Sequence, residues 1–443
     1  MKKFTFVFFV LFSIILQSCN FGLEDVSSST CSDGTPPSVH PKSKWTFIVY
    51  MAADNNLDSA ALEDFREIEN GRCNNDLVKT LVLFDRASSN NENEKSWSGT
   101  KLFEIDHSSA QSKSIQLSHK SPEGAYLSSE ELNMGDTETL ISLLNFSRKY
   151  YPADHYGLII WGHGTGYRFK KSSTNRAIAI DDTSGTFMTI PDLRKAIQTG
   201  MGSDKLDLIG FDTCFGAELE EIYELKHEAH WFAGVEGVQD ASGWDYSSWM
   251  NQELEKCTQG NEVAKLIEKQ YSSKNDKSFA IVNMDAVPDL FEAFNSFTKK
   301  AAQLINDEKD ATNLKEKIMA EAKTYSVSGT LLNPVYVEIS SMASIFLEDY
   351  PKLLNDILRL NAALKKVTSE TYCSAQEIFP IGIYFCSCNE KGQIAEQTSS
   401  YYMQGSGADG LCQFVQDATG YVPTANKEGS LLDKLLSNYK FSL

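Results

Sequence analysis

Short apolar runs separated by helix-length amphipathic segments constrain this chain more than any other feature. Trp45 to Met51 (WTFIVYM), Leu77 to Phe84, Tyr156 to Trp161 (YGLIIW), Leu206 to Phe211 (LDLIGF), Trp231 to Val235, Phe279 to Asn283 and Pro380 to Cys386 (PIGIYFC) have strand length. Their near-continuous apolarity is that of strands covered on both faces. Between the first two, Leu57, Ala61, Phe65 and Ile68 recur at helical spacing after Asp54-Asn55-Asn56, which offers capping side chains. Asp136 caps a second pattern, Leu140, Leu143, Leu144 and Tyr150, which Pro152 ends. Further helices are expected near 191–199, 217–226, 246–272, 288–308, 311–324 and 341–366, with an edge strand or hairpin at 97–106. Segments 107–130 and 165–185 read as irregular. The alternation predicts an α/β fold: a central, mainly parallel sheet flanked by helices on both faces, with a helical C-terminal part.

The N-terminus is read separately. Met1-Lys2-Lys3 is followed by an apolar run from Phe4 to Leu16, shorter than the roughly 20 residues of a membrane-spanning helix and typical of a signal peptide. Leu16-Gln17-Ser18-Cys19 resembles the lipobox of bacterial lipoproteins. The resemblance implies lipidation of Cys19 and attachment to an outer membrane or cell surface, with a periplasm-facing anchor left open. A plain secretory signal with an incidental Cys19 is the alternative. Residues 19–44, rich in Ser and Pro, read as a tether that cannot bury a core. The expected division is 1–18 signal, 19–44 tether and 45–443 body, with a core at about 45–250. With 41 Lys+Arg against 60 Asp+Glu, the net charge of −19 argues against a nucleic-acid partner, which needs a basic face.

Two strand ends carry chemistry. One reads Ile159-Ile160-Trp161-Gly162-His163-Gly164, the other Ile209-Gly210-Phe211-Asp212-Thr213-Cys214. Each switches abruptly from a buried run to small and reactive residues, and ligands of open α/β sheets bind beyond the carboxyl ends of strands. If the two strands are parallel neighbours joined through the helix at 191–199, His163 and Cys214 project into one crevice. Cys214 would then be the nucleophile and His163 its acid/base, with the backbone N–H groups of Gly164 and Cys214 as an oxyanion hole. Taken singly, each residue has an ordinary structural reading. No glycine fingerprint for a nucleotide follows any strand, and His163 has no second ligand at metal-binding spacing. No cofactor or metal is therefore expected, and a calcium requirement is left open.

WTFIVYMAADNNLD (45–58), ELNMGD (131–136), YGLIIWGHGTGY (156–167), LDLIGFDTCFGA (206–217) and GWDY (243–246) together resemble clostripain-type cysteine peptidases. These are relatives of caspases, legumains and gingipains. The likeness is close over about 45–250 and looser through FAIVNMDAV (279–287) and GIYF (382–385). It implies a caspase-like fold and a cysteine endopeptidase that cleaves polypeptides after Arg or Lys through a thioester. It also implies Cys214 as nucleophile, His163 as acid/base and Asp212 as the carboxylate at the base of the specificity pocket. Asp240 or Asp245 is then expected as a second pocket wall, with Trp244 flanking the Arg stem. The basic loop Arg168 to Arg176 is where a zymogen would be cut, and self-cleavage after Lys171 or Arg176 is expected. An inactive peptidase-fold lipoprotein acting as a binding module is the rival reading. The pattern departs from the family beyond about 320, where Cys386-x-Cys388 is unusual. Setting Cys19 and Cys214 aside, seven of the nine Cys remain, an odd number, so at least one is unpaired or pairs between chains.

Overall fold

The computed structural model describes residues 39–388 apart from 88–96, 109–112, 118–126, 128–130, 165–177, 241, 273–277, 306–307, 327–332, 370 and 372–378. The expectations for Cys19, the tether up to residue 38, Lys171 and Arg176 lie outside the described residues. In chain order, β1 (Ser43–Ala53), α1 (Asp58–Asn70), β2 (Val78–Arg86), β3 (Gly99–Asp106), β4 (Lys113–Leu117), α2 (Thr137–Tyr150) and β5 (Ala153–Gly162) come first. Then follow β6 (Ile178–Asp181), β7 (Thr186–Met188), α3 (Ile190–Met201), β8 (Leu206–Asp212), α4 (Leu219–Leu225) and β9 (Ala229–Val235). The second half contains α5 (Tyr246–Trp249), α6 (Gly260–Ser272), β10 (Phe279–Asn283), α7 (Val287–Leu304) and α8 (Glu308–Glu321). It ends with β11 (Thr324–Ser326), β12 (Asn333–Glu338), α9 (Ile339–Asp349), α10 (Leu354–Val367) and β13 (Gly382–Cys388).

Eight strands form the central sheet in the order β10-β9-β8-β5-β1-β2-β3-β4. β2, β1, β5, β8 and β9 run parallel, and antiparallel strands close both edges. β1 shows why helices cover both faces. Ile48, Tyr50 and Ala52 belong to one apolar cluster, with side chains of α2, α3, α4 and α7. Phe47, Val49 and Met51 belong to the other, with α1, α5 and α6. Strand side chains alternate between faces, so a strand apolar at every position needs a core on each side.

Several boundaries differ from expectation for local reasons. The region 246–272 is not one helix but α5, a 3-10 turn and α6, and α6 begins at Gly260, where a Cβ would overlap the Asp207 carbonyl oxygen. The region 341–366 breaks at Pro351, which has no N–H to continue a helix. A strand, β4, lies within 107–130, and the β6–β7 hairpin lies within and just after 165–185. A second sheet, β11-β12-β13, is antiparallel. It joins the first sheet's helical layer where Gly382 N donates to Ala217 O at 3.2 Å. Among the described residues no helix is long and apolar enough to cross a membrane.

Candidate active site

β5 and β8 are parallel neighbours, with Trp161 opposite Asp212. His163 and Cys214 each stand two residues further on, so they leave adjacent strands at the same level of the carboxyl edge. Glycine makes this approach possible. Gly162 has φ +142°, and a Cβ there would stand 2.8 Å from Ala52 O. A Cβ at Gly164 would overlap the Cys214 carbonyl oxygen and lie 2.6 Å from Thr213 Oγ1. Phe215, directly after the thiol, takes φ +53° and donates its N–H to Gly237 O at 2.7 Å. This left-handed residue turns the chain sharply out of β8 before α4.

The electrostatics favour a neutral pair at rest. Burial pushes the Cys214 thiol above its ordinary pKa, Gln239 N–H at 3.4 Å from Sγ opposes this, and the Asp212 charge adds to the rise. Burial lowers His163, and the Asp182 carboxylate partly restores it. His163 Nε2 lies 2.7 Å from Asn56 Oδ1. With that oxygen as acceptor, Nε2 carries the hydrogen and Nδ1 keeps a lone pair able to take a proton.

Asp212 is 2 % exposed. Its carboxylate accepts from the Gln239 side-chain amide, from Tyr246 Oη at 2.7 Å and from Trp244 N at 3.4 Å. Asp64 approaches the same place: a Cβ on Gly243 would lie 2.7 Å from Asp64 Oδ2 and 3.2 Å from Asp212 Oδ2.

The sequence profile of the clostripain family of peptidases matches residues 49–410. The chain belongs to this family. Clostripain of Hathewaya histolytica is 32% identical over 194 residues, 41% of this chain and 36% of that one, so this chain spans about a third of that relative's length. A secreted cysteine protease from Bacteroides thetaiotaomicron, solved with an irreversible peptide inhibitor, shares the fold. Its TM-score is 0.58 at 18% identity, covering 84% of this chain and 99% of that one. An inactive zymogen protease from Parabacteroides distasonis shares it too, with a TM-score of 0.60 at 18% identity, covering 85% and 99%.

Within this clostripain-family fold the remaining candidates are placed as follows. Trp244 is fully buried, packed against Gly210 and Phe279. Asp245 caps α5, its oxygens accepting from Ser247 Oγ, Ser248 N and Ser248 Oγ. Asp240 is exposed and accepts from Ser242 N at 2.9 Å. Sequence reasoning missed the role of Asn56. The Asp54-Asn55-Asn56 triplet does not cap α1, whose cap position is Leu57 without a side-chain bond. Asn55 instead donates to Ala52 O and Ile180 O, and Asn56 reaches His163. The signal was the position of these polar residues at the carboxyl end of the central strand. Close by, Asp54, Asp85, Glu131 and Asp181 gather; burial and mutual repulsion push Asp85 up to about 8 and Glu131 up to about 7.

Proposed function

We propose that the protein is a secreted, lipid-anchored cysteine endopeptidase that cleaves polypeptides after Arg or Lys. The observation that carries this reading is the placement of His163 and Cys214 at one level beyond the parallel pair β5 and β8. In the first step the Cys214 thiol proton passes to His163 Nδ1 as Sγ attacks the scissile carbonyl. The oxygen, now carrying negative charge, is held by the N–H groups of Gly164 and Cys214. The C–N bond breaks, His163 returns the proton to the departing amine, and a thioester remains. Water then attacks the thioester, losing a proton to His163, and the acid product leaves as Cys214 recovers its proton.

Asp212 supplies the charge for a basic side chain. Because its carboxylate is already bonded to Gln239, the incoming guanidinium or ammonium takes the place of the Gln239 amide. A cation adds direct attraction of opposite charges to the hydrogen bond, and a guanidinium can bond the carboxylate through two N–H groups at once. Self-cleavage in 168–176 at Lys171 or Arg176, and lipidation of Cys19, complete the reading.

The test uses residues 20–443 against fluorogenic peptides ending in Arg, Lys, Asp or Asn, with Cys214→Ala as control. Cys214-dependent turnover after Arg or Lys is expected. Turnover only after Asp or Asn would overturn the basic preference. No Cys214-dependent turnover at all would overturn the enzyme in favour of a binding module.

A further inference from the structure

We propose that Gln239 latches the free protein by holding the nucleophile and the specificity carboxylate at once, and that a basic substrate side chain entering at Asp212 releases both. This inference rests on the reading of Asp212 as the seat of that side chain, and adds how filling the seat is felt at Cys214.

One residue meets both groups. Gln239 N–H points at Cys214 Sγ at 3.4 Å, and the thiol in turn donates to Gln239 O at 3.9 Å. The Gln239 side-chain amide donates to Asp212 Oδ1. Among the described residues the hydrogen bonds of Sγ go to Gln239, and none goes to His163. The hydrogen that must pass to His163 Nδ1 is therefore turned toward the Gln239 carbonyl in the free protein. Two residues earlier, Gly237 O accepts from Phe215 N at 2.7 Å, so the segment after β9 runs along the thiol turn. A side chain pinned at its far end restrains its own main chain. Once unpinned from Asp212, the Gln239 carbonyl is free to turn away from Sγ.

The latch holds imperfectly. Gln239 Oε1 is buried and has no hydrogen-bond partner, which costs free energy. Turning the amide over does not help, because Oε1 would then face the Asp212 carboxylate, acceptor against acceptor. A guanidinium or ammonium carries several donors and can meet Asp212 and Oε1 together. The residues on either side leave room for the movement: Val238 is 51 % exposed and Asp240 is exposed.

Charge acts in the same direction. The Asp212 carboxylate helps to hold the Cys214 thiol above its ordinary pKa. A cation bonded to Asp212 cancels that push, so the thiolate forms more readily once a basic side chain is in place. An uncharged side chain neither frees Gln239 nor offsets Asp212. The thiol thus stays latched against polypeptides without Arg or Lys at that position, a form of induced-fit selectivity.

The test reads the thiol rather than turnover. In the full chain, alkylation of Cys214 by iodoacetamide, followed by peptide mass spectrometry, should speed up at least about threefold with saturating n-butylguanidinium or n-butylammonium. The uncharged n-butanol should have no effect, and Asp212→Asn should abolish the response to the cations. With no cation present, Gln239→Ala should alkylate at least about threefold faster than the unaltered chain. It should also cleave after Met, relative to Arg, at least about fivefold more readily. A cation that competes with an Arg peptide for turnover yet leaves alkylation unchanged or slower would overturn the latch and leave the basic pocket standing. A cation that neither competes nor speeds alkylation would overturn the pocket, and the latch with it. Unaltered alkylation and selectivity in Gln239→Ala would assign the response to charge at Asp212 alone and overturn the role of Gln239.

Discussion

A neutral imidazole beside a protonated thiol sets how the site responds to pH. In the proposed mechanism His163 must be unprotonated to take the Cys214 proton, and burial holds its pKa below the ordinary 6.5. Activity should therefore persist somewhat below pH 6.5 and fall as pH drops through the lowered value. Asp182 opposes the lowering, so Asp182→Asn should move the acidic limb of the kcat/KM profile to still lower pH. A limb that stays put or moves up would contradict this assignment. Asn56→Ala frees Nε2 and should reduce kcat about tenfold or more with little change in KM, measured on the same fluorogenic peptide. Thiol chemistry separates the cysteines as well. Cys73 and Cys257 are free and buried, their thiols pushed up to about 12 and about 11. Iodoacetamide should label Cys214 in the folded chain and reach those two only after denaturation, as read by peptide mass spectrometry. At this scale the sequence showed which two strand ends lie side by side, because His163 and Cys214 interrupt the apolar runs of β5 and β8. It could not show Asn56 as a partner of His163, nor the gathering of Asp54, Asp85, Glu131 and Asp181. Those residues meet only after the sheet has ordered its strands.

Among the elements, the strands were the most legible and the breaks between helices the least. A run such as YGLIIW has no polar face in either period, so it reads as a covered strand, and β5 lies there. The helix of 341–366 looked continuous because its apolar spacing resumes after Pro351, and β6 and β7 are too short and polar to show a period. His107 illustrates what links such elements. Placed after β3, it sits between Thr80 of β2, whose Oγ1 is 2.9 Å from Nε2, and Gly71 beyond α1, whose oxygen is 3.3 Å from Nδ1. Burial lowers its pKa to about 4, whereas the unfolded imidazole titrates near about 6.5. The unfolded chain thus takes up the proton first. The contribution is fully present above pH 6.5 and is lost as pH falls through the window down to about 4. That loss is about 3 kcal/mol. Denaturant unfolding from pH 7 to 4 should show it, and His107→Gln should flatten the slope.

For the molecule as a whole, the chain carries a net charge of −19 and a site proposed to take basic polypeptides. Long-range attraction of this kind acts on encounter and is screened by salt. Raising ionic strength from about 0.05 to 0.5 M should lower kcat/KM for a peptide with several Lys more than for one with a single Arg. Equal loss for both would place the effect at Asp212 alone. The C-terminal part bears on the site more directly than its distance along the chain suggests. Phe215, the residue after the thiol, stacks on Tyr336 of β12 with ring centroids 4.7 Å apart, and Ala217 receives its bond from Gly382 of β13. A ribosome delivers the chain from its N-terminus, so His163 and Cys214 both emerge long before residues 336 and 382 exist. The sharp turn that presents the thiol lacks its packing until nearly the whole body has been synthesised. The order of synthesis therefore withholds a finished site from a nascent chain.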